Sequence, residues 1–205
     1  PVGTEERKFG DLYASFMDEP RIEQLGWSAI AADLETAGSP ANVPSLVATL
    51  GRLERAGASG FVQAFVDNDP GQPERYLVFV EQGGLGLPDE SYYREEKFAE
   101  IRAKYATYLE RMLTLAGLDE AAERAGRIVA LETEIASHHW DNVATRDSEK
   151  TYNPMRWDAA NALVGDVDLD IWLGALGVPA GSFDEVVVRQ PTFMSGLESV
   201  LTADR

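Results

Sequence analysis

A glycine-rich stretch at residues 81–93 is the segment whose residue types most suggest chemistry. It reads EQGGLGLPDESYY, and Gly84 with Gly86 begins the G-x-G-x-x-G pattern of phosphate-binding loops. The third glycine of that pattern is replaced by Asp89, and no Gly-Lys-Ser/Thr follows. Consecutive acids at the exit of the loop would also repel a phosphate. The stretch therefore predicts a structural corner, in which glycine permits positive φ and Pro88 stiffens the exit towards a helix.

Two tyrosines follow this corner. Tyr92 and Tyr93 carry large apolar rings that end in a hydroxyl, and such side chains bury the ring while the hydroxyl finds a hydrogen-bond partner. We expect the pair to anchor the corner to the core.

The stretch DNDPGQ has the alternating oxygen ligands of a calcium loop in Asp67 and Asp69. A calcium loop of the EF-hand type also needs a side-chain ligand at its fifth position and an acid at its twelfth. Those positions hold Gly71 and Val78. The residue types therefore favour a hairpin turn over a calcium site.

Two adjacent histidines, His138 and His139, are the remaining metal-ligand candidates. Neighbouring residues of a helix point about 100° apart, so both cannot bind one ion from a regular helix. Glu134 shares a helix face with His138, but no third ligand lies nearby in the sequence. We expect structural roles, with one histidine bordering the core beside Ile135 and the other in solvent. A self-contained metal enzyme that uses Glu134 and His138 is the alternative.

The composition restricts the class of protein. The chain has 205 residues, of which 44% are hydrophobic, and it carries 35 acidic against 18 basic residues. A net charge of −17 argues against nucleic acid or anionic lipid as the main partner. The absence of cysteine excludes disulfides, thiolate metal sites and cysteine nucleophiles. The longest apolar run, Tyr76–Val80, predicts no membrane segment, and no G-x-S-x-G nucleophile motif occurs.

The elements that must position these residues are mostly helices. Apolar residues recur at helical spacing near Phe9, Leu12 and Phe16, and again in two long segments over 98–115 and 121–135. A short turn joins the long segments, which predicts an antiparallel helix pair. We therefore predict a mainly α, single helical domain over residues 1–205.

Extended segments interrupt the helices. Two runs rich in β-branched and aromatic residues flank a concentrated turn signal, which predicts one β-hairpin at about residues 61–81. EVVV at 185–188 is one more short extended candidate. In YNPM, Asn153 is placed to cap a helix that would begin at Pro154.

Several of these stretches, in order, resemble the N-terminal region of neprilysin-like (M13) zinc metallopeptidases. They include FGDLYASFMDEPRIEQLG, GLGLPDESYY, YATYLERMLTLAG, IVALETEIAS, RDSEKTYNPM and VVVRQPTFMSGLESVL. Together they cover nearly the whole chain. The residues that match the family's motifs are Gly84, Leu85, Gly86, Leu87, Pro88, Tyr92, Tyr93, Arg146, Asp147, Tyr152, Asn153 and Met155.

The resemblance implies a helical cap that encloses a substrate cavity together with a thermolysin-like catalytic lobe of the same parent chain. Peptides would be the substrates, and the parent enzyme would bind zinc. The zinc motif H-E-x-x-H, the later E-x-x-x-D and the N-A-F-Y segment do not occur in these 205 residues. We therefore expect no catalytic or metal-binding residue and no cofactor in this part. Arg146 and the hairpin are the candidates for facing the cavity.

The resemblance also bears on origin. Animal members carry a cysteine in the early helix, where this chain has none, which suggests a bacterial protein without disulfides. Its compartment is left open. Both ends suggest a piece of a longer protein, because the chain begins with Pro1 and ends within a helical pattern. A freestanding helical module that binds peptides or proteins is the alternative to the cap.

Overall fold

The structure is a computed structural model that describes residues 3–202. The chain divides into two compact units, Pro1–Glu35 and Thr36–Arg205. The first unit contains α1 (Glu5–Met17), α2 (Glu19–Leu25), a 3₁₀ turn (Gly26–Ile30) and the start of α3 (Ala31–Ala37). Thr4 and Asp18 cap α1 and α2 by accepting backbone N–H groups of the first turn.

The first unit has no buried core of its own. The helical spacing around Phe9, Leu12 and Phe16 does form α1, as predicted. These three side chains nevertheless remain about 70% exposed, and no residue from Gly3 to Glu35 is buried. Apolar side chains left in water at this density are typical of a surface that another polypeptide covers.

The second unit contains the remaining elements. Its helices are α4 (Val43–Arg55), α5 (Ser91–Arg94), α6 (Ala99–Leu115), α7 (Ala121–His138), α8 (Trp157–Ala162), α9 (Asp170–Leu176) and α10 (Pro191–Val200). Short 3₁₀ turns lie at Glu96–Phe98 and Ala144–Arg146. Its strands are β1 (Val62–Asn68), β2 (Tyr76–Gln82), β3 (Pro154–Arg156) and β4 (Glu185–Val188). The mainly α fold class is therefore confirmed.

The predicted hairpin is part of a larger sheet. Strands β1 and β2 pair antiparallel from Val62 with Gln82 to Asn68 with Tyr76. The EVVV segment forms β4, which pairs parallel with β2, and β3 pairs antiparallel with β4. The sheet order is β1-β2-β4-β3.

The prediction of a helix starting at Pro154 is wrong. Pro154 begins strand β3, and the helix begins three residues later at Trp157. The Asn153 amide donates to the carbonyls of Lys150 (2.7 Å) and Val188 (3.1 Å), so it ties the chain to the sheet and caps no helix. Proline is tolerated at the start of an edge strand, where its missing N–H is not needed.

The core lies between the sheet and the helices of the second unit. Val78, Val80, Val186 and Val188 supply the sheet face, and Trp172, Phe193 and Leu197 supply the helices. Helix α4 packs closely on α9, because a Cβ on Gly51 would lie 2.6 Å from the carbonyl oxygen of Trp172. The long helices α6 and α7 pack against each other. Within residues 3–202, no helix is both long and apolar enough to cross a membrane.

Candidate functional site

The glycine-rich stretch forms the predicted corner between β2 and α5. Gly84 has φ of +84°, which a residue with a side chain adopts only with strain. Gly86 leaves room for the Tyr105 hydroxyl, which would lie 1.9 Å from a Cβ at that position. Gly84 is thus required for its backbone conformation, and Gly86 for the space that the Tyr105 hydroxyl occupies.

One carboxylate, that of Glu132 on α7, holds the corner. It accepts a hydrogen bond from the Tyr93 hydroxyl at 2.7 Å and another from the Tyr105 hydroxyl at 2.9 Å. The Tyr93 oxygen in turn accepts the backbone N–H of Leu87 at 2.9 Å. Burial, and then the bond to Glu132, raise the pKa of both tyrosines far above the usual range. Both hydroxyls therefore stay protonated and act as donors.

The tyrosine pair divides its roles. Tyr93 is buried, and its hydroxyl has the partners that the sequence led us to expect. Tyr92 is partly exposed and stacks on Phe98 with ring centroids 4.0 Å apart. Asp89 closes the loop by accepting from Ser91 and from the Asn142 amide (2.7 Å). Tyr93 and Asp89 of the corner are thus bonded within the chain, whereas Oε2 of the buried Glu90 has no partner among the described residues.

The two histidines point to different neighbours. His139 lies edge-on to Phe193, with ring centroids 4.8 Å apart, and its Nε2 lies 2.9 Å from the carbonyl oxygen of Gly83. Because a carbonyl only accepts, this nitrogen carries the proton. Burial lowers the pKa of His139. His138 packs on Gly196 of α10, and its Nε2 lies 3.2 Å from the Ser199 hydroxyl.

The histidine geometry corrects one expectation. Both rings are partly buried, so the prediction that one histidine lies in solvent is wrong, because α10 covers His138. Among residues 3–202, no group of three His, Asp or Glu side chains is arranged to hold a metal ion. The alternative built on Glu134 and His138 gains no third ligand from this part of the fold.

The acidic turn of the hairpin is filled by protein groups. Asp69 is fully buried, and its carboxylate accepts from Tyr152, from the Gly71 N–H (2.8 Å) and from Arg75 (2.7 Å). The bond from Tyr152 contributes most to lowering the pKa of Asp69 to about 2. Arg75 also forms a two-pronged pair with Glu185 on β4 (2.8 and 3.0 Å). This network supports the hairpin-turn interpretation of DNDPGQ.

Three of the motif residues between 146 and 155 connect the hairpin turn, β4 and the core. Tyr152 reaches Asp69, Asn153 reaches Val188, and Met155 packs against the core. Asp147 caps a turn by accepting the backbone N–H groups of Glu149 and Lys150 (3.2 Å each). Those bonds, with that of Lys150 first, lower the pKa of Asp147.

Arg146 differs from the other motif residues. Its side chain is exposed and forms no hydrogen bond or ion pair with residues 3–202. An exposed, unpaired guanidinium is available to a carboxylate from outside this part of the chain.

The motif residues therefore gather in two places. Residues 84–93 meet around Glu132, and residues 147–155 meet at the hairpin turn and the β4 side of the sheet. Sequence reasoning missed Glu132, which occupies a position four residues after Ile128 and three before Ile135 on the apolar stripe of α7. A carboxylate on such a stripe is a signal for a buried hydrogen-bond network.

A second missed residue is Glu54, in the last turn of α4. Its Oε2 accepts from the indole N–H of Trp172 at 2.8 Å, while its Oε1 is buried against Gly60 with no partner in the described chain. Burial raises the pKa of Glu54 to about 7, and the bond from Trp172 opposes that rise. The carboxyl lines a cavity of about 250 Å³ beside β1.

A larger apolar groove lies beside the corner. It has a volume of about 520 Å³. Its walls come from α4, the corner, α7 and α10, and the lining residues include Leu46, Leu50, Leu85, Leu131, Ile135 and Leu197. The corner thus forms one wall of an open apolar groove. Catalytic groups do not converge there, because Glu132 is the one ionisable residue of the lining and it is already bonded to two tyrosines.

Comparison with known proteins agrees with these motifs. The chain resembles Mycobacterium tuberculosis zinc metalloprotease ZMP1 in complex with an inhibitor, with a TM-score of 0.93 and 40% identity. That match covers 100% of this chain and 32% of the other. The chain is also 29% identical to human endothelin-converting enzyme-like 1 over 171 residues, which is 75% of this chain and 22% of that protein.

A bacterial relative gives the same result. A putative zinc metalloproteinase in the scaA 5' region of Streptococcus gordonii is 25% identical over 177 residues, which cover 84% of this chain and 28% of that protein. The chain therefore spans a third or less of each of these relatives. The N-terminal model of peptidase family M13 matches residues 1–205. The chain belongs to peptidase family M13 and corresponds to its N-terminal region.

Proposed function

We propose that this chain is the non-catalytic cap of a zinc-dependent M13 peptidase and forms one wall of its peptide cavity. The observation that carries the proposal is the match of all 205 residues to the N-terminal M13 region, in a sequence without H-E-x-x-H. Peptide hydrolysis by a zinc metalloprotease of this type needs two histidines one helical turn apart, a third zinc ligand and a glutamate that activates water. Those groups would come from the remainder of the parent chain.

The exposed surfaces support a partner within the same parent chain. The first unit exposes the apolar side chains of Phe9, Leu12 and Phe16, and the second unit carries an apolar groove of about 520 Å³. Clustered exposed apolar surface is typical of an interaction site. Relatives that are named as zinc metalloproteases are about three times as long as this chain. The catalytic lobe is therefore the proposed partner, and peptides are the proposed substrates.

The experiment compares two proteins with one quenched fluorescent peptide library. Residues 1–205 with added zinc should show no hydrolysis. The product of the gene read beyond residue 205 should contain H-E-x-x-H, hydrolyse peptides and lose activity when that glutamate becomes glutamine. Hydrolysis by residues 1–205, or a longer product with no peptidase activity, would contradict the proposal. Inactivity of both proteins with tight peptide binding by residues 1–205 would favour the freestanding binding module.

Arg146 is proposed to face the cavity. Its exposed, unpaired side chain supports this role, since the neighbouring motif residues are engaged in internal bonds or packing, namely Asp147, Tyr152, Asn153 and Met155. In the longer product, Arg146→Ala should raise KM for peptides with acidic residues and leave kcat within about twofold, because it removes a binding contact remote from the zinc chemistry. Lys150→Ala, a neighbouring exposed cation, is the matched control. Equal effects of the two variants would count against the assignment.

A further inference from the structure

Strand β1 is an edge of the sheet with open backbone groups. The Asp69 N–H donates a hydrogen bond to the Arg75 carbonyl (3.0 Å), opposite it across the hairpin. Because hydrogen-bonded positions alternate along an antiparallel pair, the backbone groups of the odd-numbered residues of β1 bond to β2. On β2 the alternate residues point to the other side, as the bond from Arg189 N–H to the Val80 carbonyl shows (2.8 Å). The N–H and C=O groups of Ala64 and Val66 therefore point outwards, where no strand of the described chain pairs with them.

The two edges of this sheet differ in protection. Native sheets protect their edges with short strands, proline, charges or bulges, since an open edge pairs with other chains. Strand β3, at the far edge, has only three residues and contains Pro154 and Arg156. Strand β1 has seven residues in unbroken register, with no proline and no basic residue. Of the features that prevent another strand from binding, the β1 edge has one charge, Asp67, which repels an acidic strand and attracts a basic one.

The negative charge around β1 limits which kind of strand can bind to its edge. Residues 61–82 contain four acids and one base, and that base, Arg75, is already bonded to Asp69 and Glu185. Asp67 and Glu74 are exposed. A second copy of this chain would bring another net charge of −17 to the same edge, which disfavours self-pairing.

The cavity beside β1 contains one further carboxyl group. Val62, Gln63 and Ala64 line it together with Glu54 and Trp172, and Glu54 is its ionisable residue.

From these observations we propose that the β1 edge binds an extended, basic peptide as an additional strand. The main chain of the peptide bonds to Ala64 and Val66. Its apolar side chains lie beside the side chains of these two residues, and its basic side chains lie on the face of Gln63 and Asp67. That the bound peptide is a substrate segment rests on the proposed function, whereas the binding itself does not.

The test uses residues 1–205 and a fluorescent seven-residue peptide of alternating lysine and valine, measured by anisotropy. The same length of alternating glutamate and valine should bind at least about tenfold more weakly, because its charge matches that of the edge. Methylating the backbone nitrogens of either all valines or all lysines distinguishes a bound strand from a loose electrostatic contact. Only alternate N–H groups face β1, so one methylated form should lose binding and the other should keep it.

Variants of the protein locate the site. Val66→Pro removes one outward N–H without breaking a β1–β2 bond, and it should weaken binding about fivefold. Val66→Thr keeps the N–H and should stay within about twofold. Thermal melting of Val66→Pro and Val66→Thr shows whether they fold. Val66→Lys adds a positive charge that repels the lysine peptide, so it tests the same position without introducing proline.

Several results would overturn the proposal. They are no binding of the lysine peptide, equal losses from both methylated forms, or unchanged binding in Val66→Pro and Val66→Lys. A dimer in sedimentation that Val66→Lys dissociates would identify a second copy as the occupant instead. If the lysine peptide binds as described but the longer gene product has no peptidase activity, the proposed function fails and this inference stands.

Discussion

Glu54 makes the stability of this protein depend on pH in a direction opposite to that of most carboxylates. The pKa of Glu54 rises from 4.5 to about 7 because folding buries the carboxyl and leaves Oε1 without a partner. Between pH 4.5 and 7 the folded protein therefore holds more protons than the unfolded chain. The free energy of unfolding falls as pH rises through this window, and the full penalty remains above pH 7.

The size of this penalty follows from the pKa change. At about 1.4 kcal/mol for each tenfold change in proton affinity, the change from 4.5 to about 7 gives an upper bound of about 3.5 kcal/mol. Glu54 is only partly buried, and solvent screening reduces this to about 1–2 kcal/mol. Glu54→Gln keeps an oxygen that accepts from Trp172 and removes the ionisation. We expect it to stabilise the fold by about 1–2 kcal/mol at pH 8 and to have little effect near pH 4.5.

Urea unfolding, followed by tryptophan fluorescence from pH 4.5 to 8.5, measures this difference directly. Glu74→Gln, at an exposed position of the hairpin turn, is the matched control and should not reproduce the pH dependence. If Glu54→Gln changes the free energy of unfolding equally at both ends of the range, the raised pKa is refuted. Destabilisation at pH 8 would mean that the ionised carboxylate is accommodated in the fold.

The remaining predictions concern the hairpin turn and the corner. Tyr152→Phe leaves the buried Asp69 carboxylate without one donor and should cost about 1.5–3 kcal/mol in urea unfolding. The pKa of Asp69 is lowered to about 2 in the folded protein. The ionised carboxylate therefore contributes its full share to the free energy of unfolding above pH 3.8, and this share is lost as pH falls towards 2. Acid titration of the wild-type protein, followed by circular dichroism, checks this. Gly84→Ala should cost about 1 kcal/mol through its positive φ. Gly86→Ala should displace the Tyr105 hydroxyl, lower the free energy of unfolding by about 1–2 kcal/mol and perturb the tyrosine signal in near-ultraviolet dichroism. The double variant Gly86→Ala with Tyr105→Phe should lose less free energy of unfolding than the sum of the two single variants.

The residue pattern by itself determined the elements whose signals are local. Helical spacing identified α1, α6 and α7, and the turn residues between 67 and 73 identified the hairpin. The corner at 83–90 followed from glycine and proline chemistry, which depends on one residue's own backbone. The helix predicted at Pro154 failed because the same Asn-Pro pair suits a helix start and an edge strand, and a bond to Val188, 35 residues away, decided between them.

The tertiary structure decided the contacts between distant parts of the chain. Strand β4 reaches β2 across more than 100 residues, and Tyr152 reaches Asp69 across 83. Glu54 acquires its raised pKa from burial against Gly60 and under the packing of α4 on α9, and the hydrogen bond from Trp172 opposes that rise. Spacing in a sequence reports which residues share a face of one element, but burial and hydrogen-bond partners depend on which elements meet. For that reason the sequence was sufficient to recognise the corner as structural, whereas only the fold showed Glu132 as its anchor and β1 as an open edge.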